Sequence, residues 1–221
     1  MFSIKEAISF GWHKVKDNLW KVVGIMVVSL IPSVVSQIFG AIMEHTESTI
    51  LTILLALCWI AVYVVSFIVG IALMKLMLRI HDGEMPSPKE LFSTYGVFWK
   101  YIGVNIIYGL IVIGGFILLI VPGVIWCIKY SFAPILVIDK KMRPMEAIRE
   151  SGRLTAGSKG KVFLFGIVSM LVVMLGYIAL FVGSLVSIPV SMLAWVHVYR
   201  SLESEKGLLN NENLTTNTAS V

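Results

Sequence analysis

Charge is what this chain has least of. Asp, Glu, Lys and Arg make up 14% of its 221 residues, where a soluble domain carries about 25%. That shortage, beside 57% hydrophobic residues and a mean hydropathy of +0.89, excludes a water-soluble fold. Cysteine is nearly absent too. Cys58 and Cys127 both lie in apolar runs, and two isolated thiols can build neither a disulfide framework nor a zinc site. Both are read as small packing residues. His13, His45, His81 and His197 are scattered without zinc spacing. The polar turn HDGEM at 81–85 reads as a loop, given Gly83 and the nearby Pro86. No Gly-rich phosphate loop ends in Lys-Ser or Lys-Thr, and no elbow motif marks a nucleophile. No cofactor, metal, nucleic-acid partner or enzymatic activity is therefore expected.

What the chain does have is length of apolar run. About 20 apolar residues cross the hydrocarbon core of a bilayer as a helix. Six such segments stand out, at about 20–42, 50–78, 100–119, 122–138, 161–181 and 184–199. Pro122, followed by Gly123, fits the first turn of the fourth, where a missing N–H costs nothing. Gly114-Gly115 offers an alternative turn. Pro189 inside the sixth predicts a kink. Charge begins ahead of the first run, at Lys5, Glu6, Lys14 and Lys16, so that run reads as an uncleaved signal. Residues 1–200 form one all-α, polytopic membrane domain. Residues 201–221, rich in Asn, Ser and Thr, read as a disordered tail.

The cations are not spread evenly. Residues 139–163 hold seven of the 18 Lys and Arg. Every other cation except Lys129 lies in the N-terminal stretch, in 75–100 or in the tail. The links 43–49, 119–123 and 181–186 have none. Positive loops stay in the cytoplasm. Both termini are thus expected there, in the inner membrane of a bacterial cell, with the three cation-free links outside.

The cation-rich segments resemble one another. SIKEAISFGWHKVKDN starts at Ser3, SPKELFSTYGVFWK at Ser87 and RPMEAIRESGRLTAG at Arg143. Each carries a carboxylate three residues in (Glu6, Glu90, Glu146) and a glycine five or six later (Gly11, Gly96, Gly152). Ser3 with Glu6, and Ser87 with Glu90, fit the capping box of a helix N-terminus. Arg143 replaces the cap hydroxyl in the third, although Glu146 still favours the positive helix end. Apolar residues recur at helical spacing, so each segment predicts an amphipathic helix at the membrane interface, with its cations toward lipid headgroups. Three units follow, at about 3–80, 87–138 and 143–200, each an interfacial helix plus a membrane hairpin.

PGVIWCIKYSFAPILVIDKKMRPMEAIRESGRLTAGSKGKVF, residues 122–163, is similar to small bacterial membrane proteins related to the membrane domain of glycerophosphoryl diester phosphodiesterases. SIKEAISFGWHKVKDNLW shares the resemblance. It implies the same helical membrane fold. Phosphodiesterase activity in that family belongs to a separate soluble domain with a carboxylate and histidine metal site, so the resemblance implies no enzyme here.

Two roles are then open. One is a structural or regulatory part in the cell envelope, through anionic lipid headgroups or a protein partner, with Arg149 and Arg153 on the basic collar. The other is a transporter or permease-like subunit with a polar path at Lys129, the one cation well inside a predicted span, where charge is costly and often functional. The topology has a direct check. In a variant lacking Cys58 and Cys127, a cysteine at position 46 is labelled from outside intact cells and one at position 157 is not; labelling at 157 overturns the orientation.

Overall fold

The computed structural model describes residues 2–84, 95–178 and 183–219, with 208–219 as backbone. The described residues are helical, with no strand among them. In chain order they form α1 (Ile4–Asp17), α2 (Leu19–Glu44), α3 (Thr49–His81), α4 (Tyr95–Leu118), α5 (Ile120–Lys129), α6 (Ala133–Lys140), α7 (Pro144–Leu154), α8 (Lys159–Ile178) and α9 (Ser184–Ala219). Among the described residues, six stretches are long and apolar enough to cross a membrane: Val22–Glu44, Thr49–His81, Gly96–Leu118, Ile120–Lys140, Lys159–Ile178 and Ser184–Gly207. These are the six segments expected from the sequence. The first part of the second amphipathic segment, residues 87–94 with Ser87 and Glu90, lies outside the described residues; its remainder opens α4.

Four local readings change. Gly114-Gly115 is no turn; both lie inside α4, and Pro122 sits in the first turn of α5, which begins at Ile120. The fourth crossing is two helices, α5 and α6, separated by residues 130–132. Ser3 precedes α1 in an extended conformation without a side-chain cap bond, so only the negative charge of Glu6 favours that end. The last helix does not stop where the polar tail was expected to begin; it continues past residue 200 to Ala219.

The core lies at the cation-rich end. Phe132, Ala133, Leu136 and Val137 are fully buried. Packed around them are Ile71 and Met77 of α3, Val104 of α4, Ala147 and Ile148 of α7, and Leu193 and Tyr199 of α9. The hairpin of α2 and α3 instead exposes Val27, Ile31, Ile53, Leu57 and Ile60, apolar side chains suited to lipid. Helices in lipid gain nothing by hiding apolar surface from each other, so small residues set their close contacts. Gly115 of α4 meets Gly123 of α5, where an added Cβ would come within 2.8 Å of the partner Cα. Gly176 of α8 faces Ser187 of α9, and the Ser169 and Ser191 hydroxyls bond to each other further along the same pair.

The two described amphipathic helices rest on protein. In α1, Ala7, Gly11 and Val15 are fully or nearly fully buried, and Gly11 lies on the backbone of α9 at Val190 and Ala194. Ile4, Ile8 and Trp12 form the outer edge beside Val168, Val172 and Val190, around a groove of about 640 Å³. In α7, Ala147, Ile148, Ser151 and Leu154 are buried while Met145 is exposed. Its inner face is therefore covered by protein, where an apolar face down on lipid was expected.

A Cβ on Gly11 would land on the Val190 carbonyl oxygen, a backbone atom that cannot step aside. Gly11→Ala is expected to cost about 1–3 kcal/mol, as overpacking does. Gly24→Ala meets no atom within 4 Å and is expected to gain up to about 1 kcal/mol from helix propensity. Thermal unfolding of the two variants in detergent checks both signs.

Candidate functional site

Two polar centres lie at the cation-rich end, and both follow from where the helices stop. The first is the break in the fourth crossing. Ten residues of α5 rise roughly 15 Å, half of a hydrocarbon core of about 30 Å. The crossing therefore needs α6 as well, and the break falls within it. Backbone without helical bonds is tolerated there only when protein satisfies it. Here α7 does so. Ser151 Oγ donates to the Lys129 carbonyl at 3.0 Å and accepts the Phe132 N–H at 3.2 Å. Thr155 Oγ1 donates to the same Lys129 carbonyl at 3.1 Å. One hydroxyl thus bridges both lips of the break, and a second reinforces one of them. Gly152, between them on the helix, makes room: a Cβ there would meet Lys129 Cε at 3.1 Å.

The lysine side chain sits in that gap. Lys129 is half-buried, its Nζ lying 5.0 Å from the centre of the Tyr130 ring. Such cation–π contact offsets part of the cost of burying an ammonium. Lys129 lines neither the groove beside α1 nor a second cleft between α5 and α8.

The second centre is built on Arg200, one residue past the expected end of the sixth span. Its guanidinium forks onto Asp82 at the end of α3, with Nη2 to Oδ2 at 2.7 Å and Nε to Oδ1 at 3.2 Å. It also reaches Asp139 of α6 at 2.8 Å and Glu203 at 3.1 Å. Tyr199 donates to Asp139 at 2.8 Å, and Lys140 pairs with Glu203. A fixed fork suits paired carboxylates, which a lysine point charge would not match. Arg200, midway along α9, thereby ties in the ends of α3 and α6.

Two histidines extend this centre. His81 Nδ1 lies 3.1 Å from Asp82 Oδ1, and His81 Nε2 lies 3.3 Å from His197 Nδ1. Phe10 of α1 stacks on His197 with ring centres 4.6 Å apart, and Glu6, one turn earlier, acts on His197 by its charge. No group of three or more His, Cys, Asp or Glu arranged to hold a metal exists among the described residues.

The residues singled out from sequence are thus divided. Lys129 and Gly152 meet at the break. Glu6 is exposed near the histidine pair. Pro122 and Gly123 belong to the close contact of α4 with α5, where a Cβ on Gly123 would come within 2.9 Å of the Phe116 nitrogen. Glu146 accepts the Arg143 backbone N–H at 3.2 Å; arginine has no acceptor, so only that half of a capping box forms. Arg149 is exposed, and Arg153 pairs with Glu150 at 3.0 Å. Ser151, Thr155, Asp139 and Arg200 carry the bonding and were not singled out. The Ala133-Pro134 pair that opens α6 is a helix-start signal inside an apolar run, and could have revealed the break.

No family model matches the chain, and no solved structure matches it. An uncharacterised protein of Mycobacterium bovis is 25% identical over an alignment of 228 residues, covering 91% of this chain and 69% of that protein. An uncharacterised protein of Mycobacterium tuberculosis aligns with the same identity and coverage.

Ser151→Ala strands the buried Phe132 N–H and halves the support of the Lys129 carbonyl. It is expected to cost about 1–3 kcal/mol, the penalty of an unsatisfied buried group, read as a lowered unfolding temperature in detergent. Burial raises the Asp82 carboxyl, but hydrogen bonds and charge from Arg200 and His81 outweigh it and hold the group below its ordinary value of 3.8. The folded state thus binds this proton more weakly than the unfolded chain. The stability Asp82 contributes is whole above about pH 4 and is lost as pH falls through the depressed folded value. Asp82→Asn is expected to flatten that acid limb in unfolding measured from pH 5 to pH 2.5.

Proposed function

We propose that this is a non-enzymatic, multi-pass protein of the bacterial inner membrane that acts in the envelope by holding anionic lipid headgroups against its cytoplasmic face. One observation supports the reading best. Along α7 and into α8, Arg143, Arg149, Arg153, Lys159 and Lys161 are all exposed while the opposite face is sealed into the bundle. The polar groups at the break and around Arg200 are occupied with each other. Each cation near an anionic surface is worth about 1 kcal/mol. Both termini lie in the cytoplasm in this reading, and the positive-inside distribution supports it. The three-unit organisation belongs to it as well, supported by α1 and α7, each an amphipathic helix leading into a membrane hairpin. So does kinship with the phosphodiesterase membrane domain, through residues 122–163.

The broken fourth crossing favours a second reading, transport near Lys129, because interrupted helices line many transport sites. The readings separate cleanly. Arg149→Gln with Arg153→Gln should weaken the preference for spin-labelled phosphatidylglycerol over phosphatidylcholine by roughly tenfold or more, at about 1 kcal/mol per charge. Lys129→Met should leave that preference and cell growth unchanged. An unaltered preference in the double variant contradicts the lipid reading, and a growth defect in a stably folded Lys129→Met favours transport.

A further inference from the structure

The cleft between α5 and α8 has a shape and chemistry of its own. It holds about 260 Å³, with Phe116, Cys127 and Ser131 on one side, Phe163 and Gly166 on the other, and Trp195 at its base. Along α8 it runs from Val162 to Met170, roughly 12 Å at the helical rise. Both walls belong to membrane-crossing segments. Phe163, Ile167 and Met170 at its rim are exposed, so the cleft opens sideways toward lipid. Its polar side chains are already engaged. Ser131 Oγ donates to the Ile128 carbonyl at 2.9 Å, and Cys127 Sγ lies 3.3 Å from Tyr108 Oη. An occupant finds apolar contact and little else.

One end is different. Val162 closes the first turn of α8, directly after Lys159, Gly160 and Lys161, and Phe163 follows it. That turn has no acidic residue. The first N–H groups of a helix have no partner within it, and the turn carries the positive end of the helix dipole. A Cβ on Gly160 would meet nothing within 4 Å, so the space beside it is open. Apolar walls, a lateral opening and a basic, donor-rich mouth are combined in one place.

We infer that this cleft is a lipid subsite: it takes one acyl chain of an anionic phospholipid, whose phosphate rests on the first turn of α8 between Lys159 and Lys161. The inference deepens the lipid reading above and rests on it for the headgroup, although not for the chain. A chain in the cleft covers surface that neighbouring helices leave bare, and the charge at the mouth selects the headgroup.

Gly166 gives the test. A Cβ there meets only Trp195 Cζ2, at 3.9 Å, an ordinary contact, so Gly166→Leu fills the cleft without forcing the helices apart. Delipidated protein in detergent is titrated with phosphatidylglycerol and with phosphatidylcholine of identical chains, and bound lipids are counted by native mass spectrometry. Gly166→Leu should weaken the tightest-held lipid at least tenfold for both headgroups, with an unfolding temperature equal to wild type or higher. Lys159→Gln with Lys161→Gln should instead reduce the phosphatidylglycerol preference several-fold and leave phosphatidylcholine binding in place. A folded Gly166→Leu that binds both lipids like wild type overturns the cleft, even if the headgroup preference persists. Sensitivity to Gly166→Leu with no headgroup preference in wild type keeps the chain site and removes the anionic reading. Should Gly166→Leu not fold, wild type in vesicles of phosphatidylglycerol with a diazirine in the chain decides it. Adducts within 124–131 and 162–170 support the site; adducts confined to other spans overturn it.

Discussion

A peptide group without a partner costs little in water and several kcal/mol in hydrocarbon, and the fourth crossing of this protein leaves such groups at its centre. Everything around residues 129–132 answers that constraint. Ser151 accepts from one lip of the break and donates to the other, which is possible because a hydroxyl is both donor and acceptor. For Ser151 to reach, α7 must lie against the break. Gly152 eases that approach, since a Cβ there would press on Lys129 Cε at 3.1 Å. The charged outer face of α7 then follows from its inner face being committed. A helix that looked like an interfacial collar is first a brace for the bundle, and its cations project because its apolar side is covered by protein.

The Arg200 centre does the corresponding work at the helix ends. Three carboxylates around one guanidinium would repel each other without it, and the fork holds Asp82, Asp139 and Glu203 from three helices in one arrangement. This explains why α9 runs on beyond the apolar segment, with Leu202 buried. Phe132, beside the break, packs on both Trp195 and Tyr199 of α9, so the two polar centres share an aromatic wall. The rest of the molecule is looser. The outer halves of α2 and α3 rely on lipid, and the cleft beside α8 lies where neighbouring spans diverge.

How far the sequence went follows from the range of the forces involved. Segments crossing a bilayer are written in runs of apolar residues, and 50–78 or 161–181 fall close to Thr49–His81 and Lys159–Ile178. The break left no mark on hydropathy, because its repair comes from Ser151 and Thr155, some 20 residues downstream. Lys129 drew attention as a lone charge, yet its carbonyl, not its ammonium, makes the structural bonds. His81 and His197 looked scattered because 116 residues separate them. Arg200 looked like the first cation of a polar tail, since its partners Asp82 and Asp139 lie 118 and 61 residues away. The capping reading at Ser3 failed for a simpler reason: the motif fits, but the hydroxyl makes no cap bond.

The central claim is that the break is a closed element, its Lys129 carbonyl and Phe132 N–H both bonded by α7, and not an opening. Amide hydrogen exchange at Phe132, in protein reconstituted in nanodiscs, tests it most directly. A bond to Ser151 at a fully buried site predicts exchange as slow as that of Leu136 and Val137 within α6. Exchange at the rate of a solvent-open loop, with Leu136 still protected, would contradict the account.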